Sequence, residues 1–272
     1  AMRRQAQQAL GSAFTEVGFH EAILKSGAGM ATAAVPESIS GICASHLAAV
    51  MTWPLPCESG VLKENAADLL LEKLNTQDVL LAGCGIGTSD AARKTVCRLV
   101  MENKKPMVLD ADGLNAISGC PEILLKKKGE IVLTPHIAEF SRLCGLTTDE
   151  IKKNAMTVAQ DFAMKYGVTL VLKDAVTIVA TKAGAIFIST CSNSGMATAG
   201  SGDVLAGIIA GLLAQGASSE DAAVCGVYIH LSAGLAARKA KGEYGMTSED
   251  LLSAVPEAFV KEIDISPQIK EW

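Results

Sequence analysis

A run of small residues followed by a long apolar segment constrains this chain more than any other feature. Residues 193–203 read NSGMATAGSGD, and residues 204–213 read VLAGIIAGLL. Small side chains let backbone N–H groups approach a ligand closely. The apolar segment predicts a buried helix whose first turn is formed by Gly200, Ser201 and Gly202. Since unpaired N–H groups and the positive end of the helix dipole attract an anion there, we predict a phosphate-binding site.

Asp203 follows this predicted anion site directly. An acidic residue in the first turn of a helix can simply complement the helix dipole. A carboxylate beside a bound phosphate is costly, however, unless it takes part in the chemistry. We therefore predict that Asp203 is a catalytic base.

Short apolar segments alternate with helical periodicity along the rest of the chain. Strands are expected at residues 30–35, 78–82, 107–110, 131–134 and 168–172, with a hairpin at 175–190. Helices are expected at residues 62–74, 90–103, 139–144, 149–166, 219–241 and 247–263, the fourth with Thr148 as its N-cap. Residues 37–60 are expected to form a short helix and a loop. The alternation predicts an α/β fold with a parallel sheet covered on both faces.

Polar or glycine residues stand where several of these strands end. They are residues 83–87, residues 110–115, His136 and Lys173. Ligands of such sheets bind beyond the carboxyl ends of the strands. Together with Asp203, these residues predict one convergent site.

Each of these features also has a simpler explanation. The turn at residues 83–87 lacks the third glycine of a dinucleotide fingerprint, yet a Rossmann oxidoreductase remains a rival. Asp110 and Asp112 are suited to binding Mg²⁺ or substrate hydroxyls. Capping of the next helix would explain the presence of one of these aspartates, but not of both. His136 could be structural, and His20, His46 and His230 have no motif around them. Lys173 ends an apolar strand, a position that places its ammonium in the site, where it can act as a point charge on phosphate.

Composition excludes several classes of function. The net charge of −5 indicates no basic face for nucleic acid. No apolar segment reaches the ~20 residues that span a bilayer, and residues 1–8 lack the apolar region of a signal peptide. Eight cysteines without a C-x-x-C pair favour reduced thiols in the cytosol over disulfides or zinc. Without a linker or repeat, residues 1–272 are expected to form one domain.

Together these motifs resemble the ribokinase-like superfamily, and within it the ADP/ATP-dependent NAD(P)H-hydrate dehydratases. The matches run over residues 27–216. The GSGD of residues 200–203 suits any ribokinase-like kinase. The DADGLN of residues 110–115 and the TPHIAEF of residues 134–140 are much more specific to the dehydratases. The resemblance implies a mostly parallel central sheet with helices on both faces.

The resemblance also implies a repair enzyme that removes water from NADH or NADPH hydrated at C6, at the expense of ADP or ATP, with Mg²⁺ expected as well. Asp203 would take the proton of the C6 hydroxyl as that oxygen attacks phosphorus, and the ring nitrogen would then expel the phosphate. The nucleotide would be bound by Lys173, Asp174, Ala175, Val176, Thr177, Gly200, Ser201 and Gly202. The hydrated dinucleotide would contact Phe19, Gly83, Gly85, Asp112, Asn115, His136 and Asp203.

The chain departs from the family's pattern in two places. Residues 1–25 are shortened relative to the family, and Asp174 stands where the family usually has glycine. The alternative function is a kinase of the same fold for a vitamin precursor or sugar, and the third is a non-catalytic nucleotide-binding module. The resemblance further implies a homo-oligomer in the cytoplasm, with no membrane or nucleic-acid partner.

Overall fold

The computed structural model describes residues 21–189 and 192–263. Phe19 therefore lies outside the described residues. The strands are β1 (Thr32–Pro36), β2 (Met51–Leu55), β3 (Cys57–Glu58), β4 (Val61–Leu62), β5 (Leu80–Ala82), β6 (Met107–Leu109), β7 (Ile131–Leu133), β8 (Thr169–Leu172), β9 (Ile178–Ala180) and β10 (Ile186–Ile188).

The α-helices that follow or connect these strands are numbered separately. They are α1 (Ser40–His46), α2 (Ala66–Leu74), α3 (Asp90–Glu102), α4 (Asp112–Ile117), α5 (Ile137–Cys144), α6 (Thr148–Lys153), α7 (Ala155–Tyr166), α8 (Ser201–Ala214), α9 (Ser219–Lys241) and α10 (Ser248–Ile263). Residues 21–25 are helical as well. Between residues 21–189 and 192–263, we find no helix with the length and apolar character that crossing a membrane requires.

A six-stranded sheet in the order β10-β9-β8-β7-β6-β5 forms the centre of the molecule. Strands β5, β6, β7 and β8 run parallel, and β9 and β10 form an antiparallel hairpin at one side. The predicted mostly parallel sheet and the predicted hairpin are therefore confirmed.

The two faces of this sheet carry different parts of the core. Alternate residues of a strand point to opposite faces. Val108, Val132 and Val171 pack on one side against the apolar residues of α8 and α9. Leu109 and Leu133 pack on the other side, in a cluster that includes residues of α2, α3, α5 and α7. Helices thus cover both faces, as the alternating apolar segments predict.

The structure corrects two of the predicted helices and one predicted loop. The helix expected at residues 149–166 is broken at Asn154 into α6 and α7, and its N-cap is Thr147, not Thr148. The helix expected at residues 62–74 begins only at Ala66, because β4 precedes it. The segment expected to be a loop after α1 contains strand β2, which includes Pro54. Since β2 pairs only with β1 in a two-stranded sheet, the missing N–H of the proline can face away from the pairing.

The carboxyl ends of the parallel strands meet at one edge of the sheet. β7 and β8 continue past their last residues through the isolated bridge between His136 and Lys173. The Lys173 N–H donates to the Pro135 carbonyl at 2.8 Å. Helix α8 begins beside this edge with Gly200 as its N-cap at a φ of +87°, and Asp203 lies in its first turn. The predicted start of this helix is thus correct to within one residue, since Gly200 is the N-cap and the first turn begins at Ser201.

Gly83, directly after β5, has a φ of +120°, a backbone conformation that side chains rarely allow. A Cβ atom here would overlap the carbonyl oxygen of Asp110 and lie 2.8 Å from the backbone nitrogen of Gly113. The turn at residues 83–87 is therefore pressed onto the segment that follows β6. Gly87 has a φ of +80°, but a Cβ atom there would meet nothing within 4 Å.

The pair Gly83→Ala and Gly87→Ala separates backbone strain from this steric overlap. Gly87→Ala should cost about 1 kcal/mol, the strain of an unfavourable φ alone. Gly83→Ala should cost more than about 2 kcal/mol, because the turn must also move away from Asp110. Urea unfolding of the two variants measures the difference, and equal costs would contradict the close contact.

Candidate active site

A buried ion pair joins the ends of two strands of the central sheet. The Nζ atom of Lys173, after β8, lies 2.8 Å from Oδ1 of Asp110, after β6. Burial disfavours the charged ammonium, but the Asp110 carboxylate outweighs it and raises the pKa of Lys173 above its ordinary value. Lys173 is therefore a fixed cation at neutral pH. Lys173 also lines the cleft described below, and its contact with phosphate stays a prediction.

Asp203 lies against this ion pair. One oxygen of Asp203, one oxygen of Asp110 and the Sγ atom of Cys84 lie within 4.8 Å of one another. Burial, followed by the charge of Asp110, raises the pKa of Asp203 to about 6. Such a carboxylate is ionised at neutral pH and is a stronger base than an ordinary aspartate. This matches the requirement for a general base.

The cluster of Cys84, Asp110 and Asp203 does not fit a Mg²⁺ ion. Mg²⁺ prefers oxygen ligands in octahedral geometry, and a thiol is a soft ligand. The Lys173 ammonium, 2.8 Å from Asp110, already supplies the positive charge at this position. Among the described residues, a lysine rather than a metal ion therefore balances the charge of these carboxylates. A Mg²⁺ ion would instead be bound by the phosphates of a nucleotide.

A cleft of about 1100 Å³ opens beside Lys173 and the first turn of α8. Its volume is at the upper end of the ~300–1,000 Å³ that is usual for ligand sites. Six of the residues predicted to bind nucleotide line it, namely Lys173, Asp174, Ala175, Thr177, Ser201 and Gly202. Val176 lies in the same loop with an exposed side chain. The structure thus brings most of the predicted nucleotide-binding residues to one cleft.

The first turn of α8 forms the inner wall of this cleft. A Cβ atom on Gly202 would lie 3.1 Å from Lys173 Nζ, and one on Gly200 would lie 2.8 Å from the Ser248 hydroxyl. His230 on α9 donates from Nε2 to the Ser201 carbonyl at 2.9 Å. Burial lowers the pKa of His230 to about 4, so it is neutral near pH 7. His230 thereby holds the turn in place without adding charge.

A chain of hydrogen bonds fixes the glycine turn on the other side of Asp203. The Gly87 N–H donates to Asp112 Oδ2 at 3.1 Å, and Asn115 Nδ2 donates to Asp112 Oδ1 at 3.4 Å. Arg142 Nε in turn donates to Asn115 Oδ1 at 3.0 Å. Gly85, within the turn, has a φ of +79°. The structure therefore joins four of the residues predicted to contact the dinucleotide: Gly83, Gly85, Asp112 and Asn115.

His136 lies apart from that group. It is the N-cap of α5: its Nδ1 accepts from the N–H groups of Ala138 at 3.1 Å and Glu139 at 3.3 Å. Its Nε2 lies 3.3 Å from Glu139 Oε1. The ring lines the same cleft as Lys173. Contact between His136 and the dinucleotide remains a prediction.

Sequence reasoning assigned no individual role to three contributors to the site: Cys84, Glu139 and His230. The Glu139 carboxylate is buried and accepts from the His136 N–H at 2.9 Å, which completes a capping box. A Thr or Ser at the N-cap would have made this box recognisable, whereas histidine does not. His230 and Cys84 reach the site only through the packing of distant segments.

Lys173→Met tests whether the buried ion pair supports this arrangement. The substitution leaves the Asp110 carboxylate buried without its cation and should cost about 3–5 kcal/mol. Adding Asp110→Asn should recover a large part of this loss, because no uncompensated charge remains. Urea unfolding at pH 7 measures both.

Lys182 provides a matched control. Its Nζ lies 2.7 Å from Glu130 Oε1, but both side chains are half-exposed. Lys182→Met should cost less than about 1 kcal/mol, as for other surface pairs. Similar costs for Lys173→Met and Lys182→Met, or no recovery in the double variant, would contradict the importance of burial.

Comparison with known proteins adds independent information about this site. The sequence profile of the NAD(P)H-hydrate dehydratase family matches residues 20–257. The chain is 42% identical over 236 residues to the bifunctional NAD(P)H-hydrate repair enzyme Nnr of Moorella thermoacetica, covering 86% of this chain and 44% of that protein. It is 39% identical over 184 residues to the ADP-dependent (S)-NAD(P)H-hydrate dehydratase of Neisseria meningitidis serogroup B, covering 64% of this chain and 62% of that protein. The chain thus spans about half the length of the curated relatives it matches.

The fold has close counterparts among solved structures. A ribokinase-like superfamily protein of Enterococcus faecalis V583 superposes with a TM-score of 0.74 at 27% sequence identity, covering 94% of this chain and 84% of that chain. The predicted ribokinase-like fold is therefore confirmed.

Proposed function

The chain belongs to the NAD(P)H-hydrate dehydratase family, and we propose on this basis that it converts hydrated NADH and NADPH back to NADH and NADPH, using ADP or ATP as co-substrate. The observation that carries this proposal is the position of Asp203. This carboxylate, with a pKa raised to about 6, lies between a cleft of nucleotide size and the glycine turn at residues 83–87. The activities named for the two curated relatives support it.

The cleft is the proposed nucleotide site. Gly200 and Gly202 stand at the start of α8, where the helix dipole attracts phosphate, and the Ser201 N–H between them donates to the Thr198 carbonyl at 3.2 Å. The ammonium of Lys173 beside Gly202 adds a fixed positive charge. The terminal phosphate of ADP or ATP would therefore lie at this end of the cleft, next to Asp203. When bound to that nucleotide, Mg²⁺ supplies further neutralisation of phosphate charge.

The glycine turn and α4 form the proposed wall for the hydrated dinucleotide. Asp112 and Asn115 already hold the turn through hydrogen bonds, so the backbone of Gly83 and Gly85 is pre-organised. Backbone without side chains admits the close approach of a large ligand. The hydrated nicotinamide would approach Asp203 from this side.

This arrangement supports a reaction in two steps. Asp203 takes the proton of the C6 hydroxyl while that oxygen attacks the terminal phosphorus, and AMP leaves if the nucleotide is ADP. The lone pair of the ring nitrogen then expels phosphate as the C6–O bond breaks, and loss of a proton from C5 of the resulting iminium restores the C5=C6 double bond of the dihydronicotinamide. The chain contributes orientation of the two substrates, a base at the attacking oxygen and positive charge at the phosphate.

We propose further that the protein acts in the cytosol as a homo-oligomer. The eight cysteines form no C-x-x-C pair, a pattern typical of reduced thiols in the cytosol. Association through helices would cover exposed apolar side chains such as Leu235 on α9 and Val260 on α10. Light scattering of the purified protein tests the oligomer, and a monomer at micromolar concentration would contradict it.

The direct test of the proposed function supplies hydrated NADH with ADP or with ATP and follows the absorbance of dihydronicotinamide. We expect absorbance to recover and free phosphate to appear in equal amount. A small-molecule kinase of the same fold would instead leave a stable phosphorylated product. A persistent phospho-product, with no recovery of absorbance under either nucleotide, would overturn the dehydratase proposal.

The role of Asp203 predicts a specific pH dependence. Protonated Asp203 cannot accept a proton, so kcat/KM should fall as the pH drops below about 6. Asp203→Asn should retain nucleotide binding while kcat falls about 10²–10⁴-fold, as for loss of a general base. Calorimetric titration with ADP and steady-state kinetics measure the two. A near-normal kcat in this variant would remove Asp203 from the mechanism.

A further inference from the structure

We propose that Cys84 is a positioning residue, whose thiol donates a hydrogen bond to the Asp203 carboxylate and so orients this base and tunes its strength. The inference rests on the proposed function, in which Asp203 is the base. It assigns a role to the second residue of the glycine turn, the turn that would contact the dinucleotide.

The contact itself is the first observation. Cys84 is 7% exposed, so its thiol is buried beside the Asp203 side chain. Its Sγ atom lies within 4.8 Å of carboxylate oxygens of both Asp203 and Asp110. Asp110 is already paired with Lys173 at 2.8 Å, whereas Asp203 has no such ion-pair partner among the described residues. The Cys84 thiol is therefore available as a partner for the Asp203 carboxylate.

The direction of this hydrogen bond follows from the surroundings of the thiol. Burial, and then the negative charges of Asp110 and Asp203, raise the pKa of Cys84 well above its ordinary value. The thiol consequently keeps its proton at neutral pH. A protonated thiol beside a carboxylate can only act as the donor.

The backbone leaves Cys84 little freedom to move away. Gly83 before it is pressed against Asp110, and Gly85 after it has a φ of +79°. The Gly87 N–H is held by Asp112 at 3.1 Å. The turn thus holds the thiol against Asp203.

The groups that face Asp203 determine what removal of the thiol does. Burial and the charges of Asp110 and Glu139 raise the pKa of Asp203, whereas the Cys84 hydrogen bond and the Lys173 charge lower it. Cys84→Ala removes one of the two groups that favour the ionised carboxylate. The base should then become protonated at a higher pH than in the wild type.

The experiment compares Cys84→Ala with Cys84→Ser, in which a hydroxyl can replace the thiol as donor. The pH profile of kcat/KM is measured with hydrated NADH and ADP. We expect the acidic limb of Cys84→Ala to move upward by about 0.5–1 pH unit, the equivalent of one hydrogen bond. Above pH 8 Asp203 is ionised in each variant, so its protonation no longer limits kcat/KM. Any loss of kcat/KM that remains there reports on the orientation of Asp203 alone. Cys84→Ser should keep the acidic limb of the wild type.

Cys225→Ala, on the exposed surface of α9, is the matched cysteine control and should leave the profile unchanged. An acidic limb of Cys84→Ala that coincides with that of the wild type would overturn the inference. So would an equal upward displacement in Cys84→Ser, because the effect would then not depend on a hydrogen-bond donor. Urea unfolding of each variant shows whether the fold is retained.

A second readout separates failure of this inference from failure of the proposed function. If the wild type does not restore NADH, the proposed function fails, but ADP binding still reports the charge of Asp203. Ionised Asp203 repels the adjacent phosphate, so ADP affinity should strengthen as the pH falls through the pKa of this carboxylate. That transition should lie at higher pH in Cys84→Ala than in Cys84→Ser. Coincident transitions in both variants would overturn the inference without any measurement of turnover.

Discussion

The buried ion pair between Lys173 and Asp110 is the interaction on which the rest of the site depends. It joins the ends of β8 and β6, with β7 between them, at the edge of the sheet where the ligand sites open. Its carboxylate raises the pKa of Asp203, and its ammonium provides the positive charge next to Gly202. A buried charge without its partner costs several kcal/mol, so the pair also stabilises the spacing of the strand ends. In the proposed function, one pair of opposite charges thus serves the base on one side and the phosphate on the other.

Glycine residues determine how closely the other segments approach this pair. Gly83 admits the carbonyl of Asp110, and Gly202 admits the ammonium of Lys173. Both contacts would be blocked or strained by a methyl group. In the proposed function the same residues also face the two ligands, so the requirement for close packing and the requirement for ligand access coincide. This explains how a small region around Asp203 can face a nucleotide cleft and a dinucleotide wall at once.

The features that sequence reasoning predicted are those that depend on neighbouring residues. The anion site at Gly200, the first-turn Asp203 and the polar strand ends follow from local periodicity and from the topology of parallel sheets. The sequence predicted that residues 83–87 and 110–115 would meet Lys173 and Asp203 in one site, but not that Lys173 would pair with Asp110, because no spacing in the sequence relates these two residues. His230 was expected to be structural, and its bond to Ser201 depends on how α9 packs against α8. The break at Asn154 lies where the backbone leaves the helical region, at a φ of −135° and a ψ of 33°.

Transfer of isotopic oxygen tests the central claim most directly, that a nucleotide phosphate and the C6 hydroxyl of hydrated NADH meet at Asp203. Hydrated NADH carrying ¹⁸O in that hydroxyl is incubated with the protein and unlabelled ADP, and the released phosphate is examined by mass spectrometry. If the hydroxyl attacks phosphorus before it leaves the ring, the ¹⁸O atom appears in the phosphate. Recovery of NADH with the label in water and none in the phosphate would show that the hydroxyl departs without phosphorylation, and would contradict the account.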